Sequence, residues 1–281
     1  MMKIQQKLSG IKIVFLTAFL FLSAAGVVLG ATVDTVTIRS EAMRKDFKCV
    51  VILPDSYKNS AKRFPVVYLL HGYSGNYGDW IKKVPNLQKN ADKYQFIIVC
   101  PDGNYNSWYI DSPVDTTVKY ETYISTEVPH FIDKAYRSLA ERKFRAIAGL
   151  SMGGQGALSI AWKHADFFGA CGSMSGVQNL MPWKDQYELS HILGDTKDSV
   201  NFDKYSVLKI VKIIPSQIPA IIIDCGVDDP FIETNRKLHF ELLQLKIAHD
   251  YTERNGSHDW NYWANSVRYQ FEFFSIFFNK I

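Results

Sequence analysis

Short apolar runs separated by polar, glycine-bearing turns recur from residue 33 to residue 254, and most of them are apolar at nearly every position. A strand covered on both faces reads as such a continuous run, whereas a half-solvated strand alternates. Pro65 to Leu70, Phe96 to Cys100, Phe144 to Leu150, Phe168 to Met174 and Pro219 to Cys225 are of the continuous kind. Val33 to Ile38 and Phe47 to Leu53, about a polar stretch at 40–46, predict an opening antiparallel pair, and Tyr251 to Arg254 a last strand. Between the runs the period changes to three and four. Asp79 to Lys83 predicts a short helix, and Tyr120, Ile124, Val128, Phe131, Ala135 and Leu139 predict one over 120–139 with a kink or a restart at Pro129. Leu238, Leu242 and Leu245 mark a helix from Ile232 to Lys246, and Trp263, Val267, Phe271, Phe274 and Phe278 the final one. Strands alternating with helices predict an α/β chain, a mostly parallel central sheet with helices on both faces. Function then collects in the loops at the carboxyl ends of the strands. Residues 176–215 lack either period and read as an insertion covering one end of the sheet.

Composition adds size and compartment. A hydrophobic content of 47% in 281 residues suffices for one large domain, and no linker, charge block or repeat divides the chain after residue 30. Residues 1–30 differ: Lys3, Lys7 and Lys12 flank or precede the apolar run Ile13 to Leu22, and small residues precede Ala31. That is the pattern of a secretory signal peptide, leaving 31–281 as the folded domain of an exported protein. Without those three lysines the net charge of +4 falls to +1, so neither nucleic acid nor an anionic membrane is an expected partner. Cys49, Cys100, Cys171 and Cys225 each fall in or at the end of a predicted strand and read as free, buried thiols; no Cys/His spacing predicts a metal, and no cofactor is expected.

The chemistry begins at Gly149-Leu-Ser151-Met-Gly153, which fits G-x-S-x-G between a predicted strand and an Ala/Leu-rich helix. Such a turn projects the serine hydroxyl above the sheet, with glycines where strand and helix pass too close for a Cβ. A serine hydroxyl is a weak nucleophile at neutral pH and needs a histidine to take its proton and an acid to fix the imidazole tautomer. Of seven histidines, His258 stands in a Gly-Ser-His-Asp turn between the last strand and the last helix. His130, His164, His239 and His249 lie in or beside helices, and His191 lies in the insertion. Asp228 and Asp229 follow the strand ending at Cys225; Asp229 is the expected acid and Asp228 a loop support. Two backbone amides must face the developing oxyanion. Met152, after the nucleophile, supplies one, and Tyr73, in the His71-Gly72-Tyr73 loop, supplies the other; His71 shapes that loop.

Leu69-Leu-His71-Gly-Tyr73-Ser-Gly-Asn76 with Asp79-Trp80, the Ser151 motif, Asp224-Cys-Gly-Val-Asp228-Asp229 and Gly256-Ser-His258-Asp-Trp260 together resemble the esterase D-like branch of α/β-hydrolases. That branch includes S-formylglutathione hydrolases, feruloyl and acetyl xylan esterases of the carbohydrate esterase family 1 kind, and mycolyltransferases. The resemblance spans essentially the whole chain after residue 30. It implies an α/β-hydrolase fold and a serine esterase with Ser151 as nucleophile, His258 as base, Asp229 as acid and the Tyr73 and Met152 amides as oxyanion hole. With the export signal it implies a feruloyl-type carbohydrate esterase acting on a small-molecule or oligosaccharide ester. Acetyl xylan esterase, acyltransferase and a silent carbohydrate-binding homologue are the alternatives. Tyr77, Trp108, Tyr109 and Trp260, on loops near the site, are the expected substrate contacts, with residues 106–112 the segment nearest the substrate. The sequence assigns no oligomeric state.

Overall fold

Eight strands form one sheet in the order β1-β2-β4-β3-β5-β6-β7-β8. They are β1 (Thr32–Ser40), β2 (Lys45–Leu53), β3 (Val66–Leu70), β4 (Ile97–Pro101), β5 (Arg145–Leu150), β6 (Ala170–Met174), β7 (Ala220–Gly226) and β8 (Asp250–Arg254). The computed structural model describes residues 31–197 and 199–280; the signal segment read at 1–30 lies outside the described residues. β1 pairs antiparallel with β2 and β2 with β4, while every neighbour pair from β4 to β8 is parallel.

The helices are α1 (Ser56–Asn59), α2 (Asp79–Lys83), α3 (Leu87–Tyr94), α4 (Tyr120–Thr122), α5 (Val128–Ala135), α6 (Met152–Lys163), α7 (Leu189–Leu193), α8 (Val200–Lys204), α9 (Val207–Ile210), α10 (Ile232–Gln244) and α11 (Trp260–Asn279). They cover both faces because the continuous strands are apolar on both. In β3, Val66, Tyr68 and Leu70 pack into one core with Val128 of α5, Ile160 of α6 and Leu238 of α10. Val67 and Leu69 pack into the other, with Trp80 of α2, Leu87 of α3 and Phe271 and Phe274 of α11. Each fully buried phenylalanine there contributes about 1.5–3 kcal/mol relative to exposure. All four cysteines are free and buried, in β2, β4, β6 and β7.

The helix expected over 120–139 is irregular just before Pro129 and ends at Ala135, short of Leu139. Pro129 has no N–H to offer the carbonyl four residues back, and the chain widens just before it into a π-turn, Tyr123–Glu127, in which the Val128 amide donates to the Tyr123 carbonyl. Helix α5 stops at Ala135, Tyr136 is extended (φ −126°, ψ 160°), and the Leu139 amide donates to the Phe64 carbonyl at 2.8 Å, so Leu139 belongs to the approach to the sheet. Helix α3 carries no apolar period that a sequence could announce, because Leu87 and Ala91 are its buried residues and the rest is polar. The insertion is built of a 3-10 turn, Met181–Trp183, and α7 to α9, with Leu180, Leu189, Ile192 and Phe202 buried in the first core. Among the described residues no helix is long and apolar enough to cross a membrane.

Candidate active site

Strand β5 ends in a reversal so tight that Ser151 takes φ 52°, ψ −118°, a conformation costly for any residue with a side chain. Its neighbours make it possible. A Cβ on Gly149 would sit 2.4 Å from the Gly153 carbonyl oxygen, and one on Gly153 would sit 2.5 Å from the His71 carbonyl oxygen. The Ser151 amide donates to the Met174 carbonyl at 3.0 Å, tying the turn to β6. Its hydroxyl lies 2.9 Å from His258 Nε2, and His258 Nδ1 lies 2.8 Å from Asp229 Oδ2. A carboxylate can only accept, so Nδ1 carries the proton and Nε2 is free to accept from the serine.

Three strand ends supply these groups. Asp229 follows β7 and is buried at 2% exposure; its second oxygen, Oδ1, accepts from the Phe231 amide at 2.8 Å. Asp228 is exposed, and its amide donates to the Gly256 carbonyl at 3.0 Å, joining the Asp229 loop to the His258 loop. Phe231 and Trp263 each meet the imidazole edge-on with centroids 4.8 Å away, fixing its plane. Below the loops, Asp224 of β7 accepts from Tyr262 (2.9 Å), Ser266 and Gln270 (2.7 Å), one turn apart on α11. Burial raises the Asp224 carboxyl from its ordinary value, and those donors with Arg254 oppose the rise. The strand bearing Asp229 is thereby clamped to the helix that begins just after His258.

The β3 exit is braced from beneath. His71 is buried; its Nε2 accepts from the Gly103 amide at 2.8 Å, so Nδ1 is the protonated nitrogen and donates to the Gly72 carbonyl at 2.8 Å. Burial lowers the His71 pKa, which keeps the ring neutral. The Tyr109 hydroxyl donates to the His71 carbonyl at 3.0 Å. Met152 opens α6, where an amide has no acceptor within the helix. Among the described residues neither its amide nor that of Tyr73 donates to a backbone carbonyl.

Ser151 and His258 open into a cavity of about 270 Å³. One group of its lining is aromatic: Tyr187 meets Tyr73 at 5.5 Å, Trp108 at 6.3 Å and Phe231 at 6.2 Å between centroids. Two of these rings, Trp108 and Tyr187, stand on left-handed backbone. Trp108 and Tyr109 are both left-handed (φ 54° and 57°), as are Tyr187 and Glu188 (φ 52° and 54°). The Trp108 indole donates to the Tyr187 carbonyl at 3.2 Å and Asn106 donates to the Glu188 carboxylate at 2.7 Å. A second group comprises Trp260, Trp263, Asp79 and Lys83.

Of the four expected substrate contacts, Trp108 and Trp260 line this cavity. Tyr109 does not; it lies under the site, its ring packed where Cβ atoms on Gly103 and Gly156 would go. Tyr77 does not line it either, and its ring faces Lys48, whose Nζ is 5.9 Å from the centroid. His191 is exposed on α7 and outside the lining. Tyr187, Phe231, Trp263 and Lys83 went unassigned. Phe231 stood beside the Asp-Asp-Pro turn and Trp263 in the apolar stripe of α11, where each reads as packing; Tyr187 stood in the aperiodic insertion.

The family model "Esterase", described as "Putative esterase", matches residues 40–272. An acetyl esterase of Caldicellulosiruptor saccharolyticus is 27% identical over 256 residues, covering 84% of this chain and 95% of its own length. A solved ferulic acid esterase superposes with a TM-score of 0.77 at 28% identity, covering 89% of this chain and all of its own. An S-formylglutathione hydrolase (FrmB) from Staphylococcus aureus shares the fold, with a TM-score of 0.76 at 21% identity over 87% of this chain and 99% of its own. The chain belongs to the Esterase family and is a carboxylic-ester hydrolase of the α/β-hydrolase fold.

Proposed function

We propose that Ser151 is the nucleophile of a two-step acyl transfer to water, with His258 as general base and acid, Asp229 orienting it, and the Tyr73 and Met152 amides receiving the oxyanion. Ser151 attacks the ester carbonyl as His258 Nε2 takes its proton. The imidazolium then protonates the departing alcohol, and water activated by the same nitrogen frees the acid. The observation that carries this is the hydrogen-bonded chain from Ser151 through His258 to Asp229, at 2.9 and 2.8 Å, opening into a cavity.

The acyl group is of the feruloyl type, carried on plant polysaccharide, and the protein is exported through its first 30 residues. The braced rings of Trp108, Tyr187, Phe231 and Tyr73 support an aromatic acid, since stacked and edge-on contacts favour one. The likeness to a ferulic acid esterase supports it too. A second reading, removal of acetyl groups, draws support from the acetyl esterase relative. Initial rates of the purified protein on methyl ferulate and on acetylated xylo-oligosaccharide, with Ser151→Ala alongside, separate them. Preference for ferulate bears out the aromatic acyl pocket, preference for acetate transfers the rings to the sugar side, and hydrolysis undiminished in Ser151→Ala refutes both.

A further inference from the structure

Resting on the reading that Ser151 and His258 perform acyl transfer on a sugar ester, we propose that Lys83 is a specificity-determining residue for the alcohol half, selecting a neutral sugar over a uronate. The alcohol oxygen departs by taking the proton held on His258 Nε2, so it lies beside that imidazole. From the imidazole a continuous run of contacts leads to an ammonium group. His258 meets Trp263 at 4.8 Å, Trp263 meets Trp260 at 5.4 Å, and Lys83 Nζ stands 4.9 Å from the centroid of the Trp260 ring. All four residues line the same cavity. The aromatic group around Tyr187 is left for the acyl half.

Lys83 is held in place, unlike a solvated surface lysine. Its Nζ donates to Asp79 Oδ2 at 3.3 Å, and Asp79 is buried, with Oδ1 accepting from Asn76 Nδ2 at 3.2 Å. The indole face beneath attracts the cation, and Trp260 is itself set against fully buried Trp80, at 5.1 Å between centroids. An ammonium has three N–H donors. One goes to Asp79, and the side chain, 44% exposed, lines the cavity with its other two donors free to meet a ligand. The Asp79 carboxylate balances the charge beside it, so the pair presents directed donors without a net field. That combination suits the hydroxyl and ring oxygens of a sugar better than a carboxylate, which seeks an uncompensated cation. A methyl ester has nothing to reach this far.

The test compares kcat/KM for a neutral sugar ester, a glucuronate ester and the methyl ester of one acid, whichever of ferulate or acetate the enzyme prefers. The proteins are wild type, Lys83→Met and Lys83→Arg, each first titrated with a fluorophosphonate to count folded sites. The ratio of the neutral sugar ester to the methyl ester falls roughly tenfold in Lys83→Met, the loss expected of a charge-assisted hydrogen bond, and Lys83→Arg keeps most of it. An unchanged ratio in Lys83→Met overturns the assignment, and so does a loss confined to the glucuronate ester. Hydrolysis of no ester by the wild-type enzyme overturns the acyl-transfer reading, and this assignment with it.

Discussion

Asp229 shows how much one side chain must satisfy at this site. Its Oδ2 faces His258 Nδ1 while its Oδ1 accepts from the Phe231 amide. In Asp229→Asn the Phe231 N–H claims the amide oxygen, which turns the NH₂ toward the imidazole. Nδ1 must then accept, the proton moves to Nε2, and the ring can no longer take one from Ser151. Turnover should fall by roughly three to four orders of magnitude with the fold intact, as measured by kcat and circular dichroism; a loss below tenfold would remove Asp229 from the mechanism. His71 yields a different prediction. Burial lowers its pKa below the unfolded value, so between the two values the unfolded chain binds the proton and the folded one does not. Its contribution to stability is complete above pH 6.5, the ordinary value, and is lost as pH falls toward the lowered one. Denaturant midpoints should therefore decline from pH 7 to pH 5, and the decline should be shallower in His71→Asn. Single residues were legible where a backbone constraint surrounds them. Ser151 between its glycines and His258 in its turn could be found, whereas Trp108 and Tyr109, adjacent aromatics on one loop, differ only in which way consecutive left-handed residues throw their side chains.

At the scale of elements, the turn between β5 and α6 is set by clearance. Gly153 lies so near the His71 carbonyl that an added methyl must push the β3 exit aside. Gly153→Ala should cost about 1–3 kcal/mol in a urea titration and lower kcat/KM more than Gly78→Ala, where an added Cβ meets the ends of Asn76 and Lys82 at 3.2 Å or more. Equal activity in the two variants would detach catalysis from this contact with the β3 exit. The continuous apolar strands were readable because burial on both faces leaves few polar positions, Asp224 of β7 and Ser173 of β6 among them, and the long helix α11 because its stripe runs from Trp263 to Phe278. Helix α3 and the π-turn were not. Two buried residues make no period, and a widened turn is set by what one proline withholds from its neighbours.

For the whole molecule, the sheet converts distance in sequence into proximity. Ser151 and His258 are 107 residues apart and touch because β5 and the segment after β8 end on the same side. The insertion at 176–215 was legible as an insertion, but its internal structure was not. Its short helices bury residues against the sheet and against each other, and Tyr187 reaches the cavity through a backbone conformation that no composition announces. Burial also pushes the thiols of Cys49, Cys100, Cys171 and Cys225 above their ordinary range. The native protein at pH 8 should leave a thiol reagent such as dithionitrobenzoate unreacted over minutes, and all four thiols should titrate in guanidinium; rapid native reaction would place a cysteine at the surface.

The proposed chemistry stands or falls with Ser151 as an activated nucleophile. The most direct measurement is intact-mass and peptide-mass analysis after treatment with a fluorophosphonate, on the wild-type protein and on Ser151→Ala. One adduct per chain is expected, carried by the peptide containing Ser151 and absent from the variant. No adduct on the wild-type protein, or equal labelling of Ser151→Ala, would contradict it.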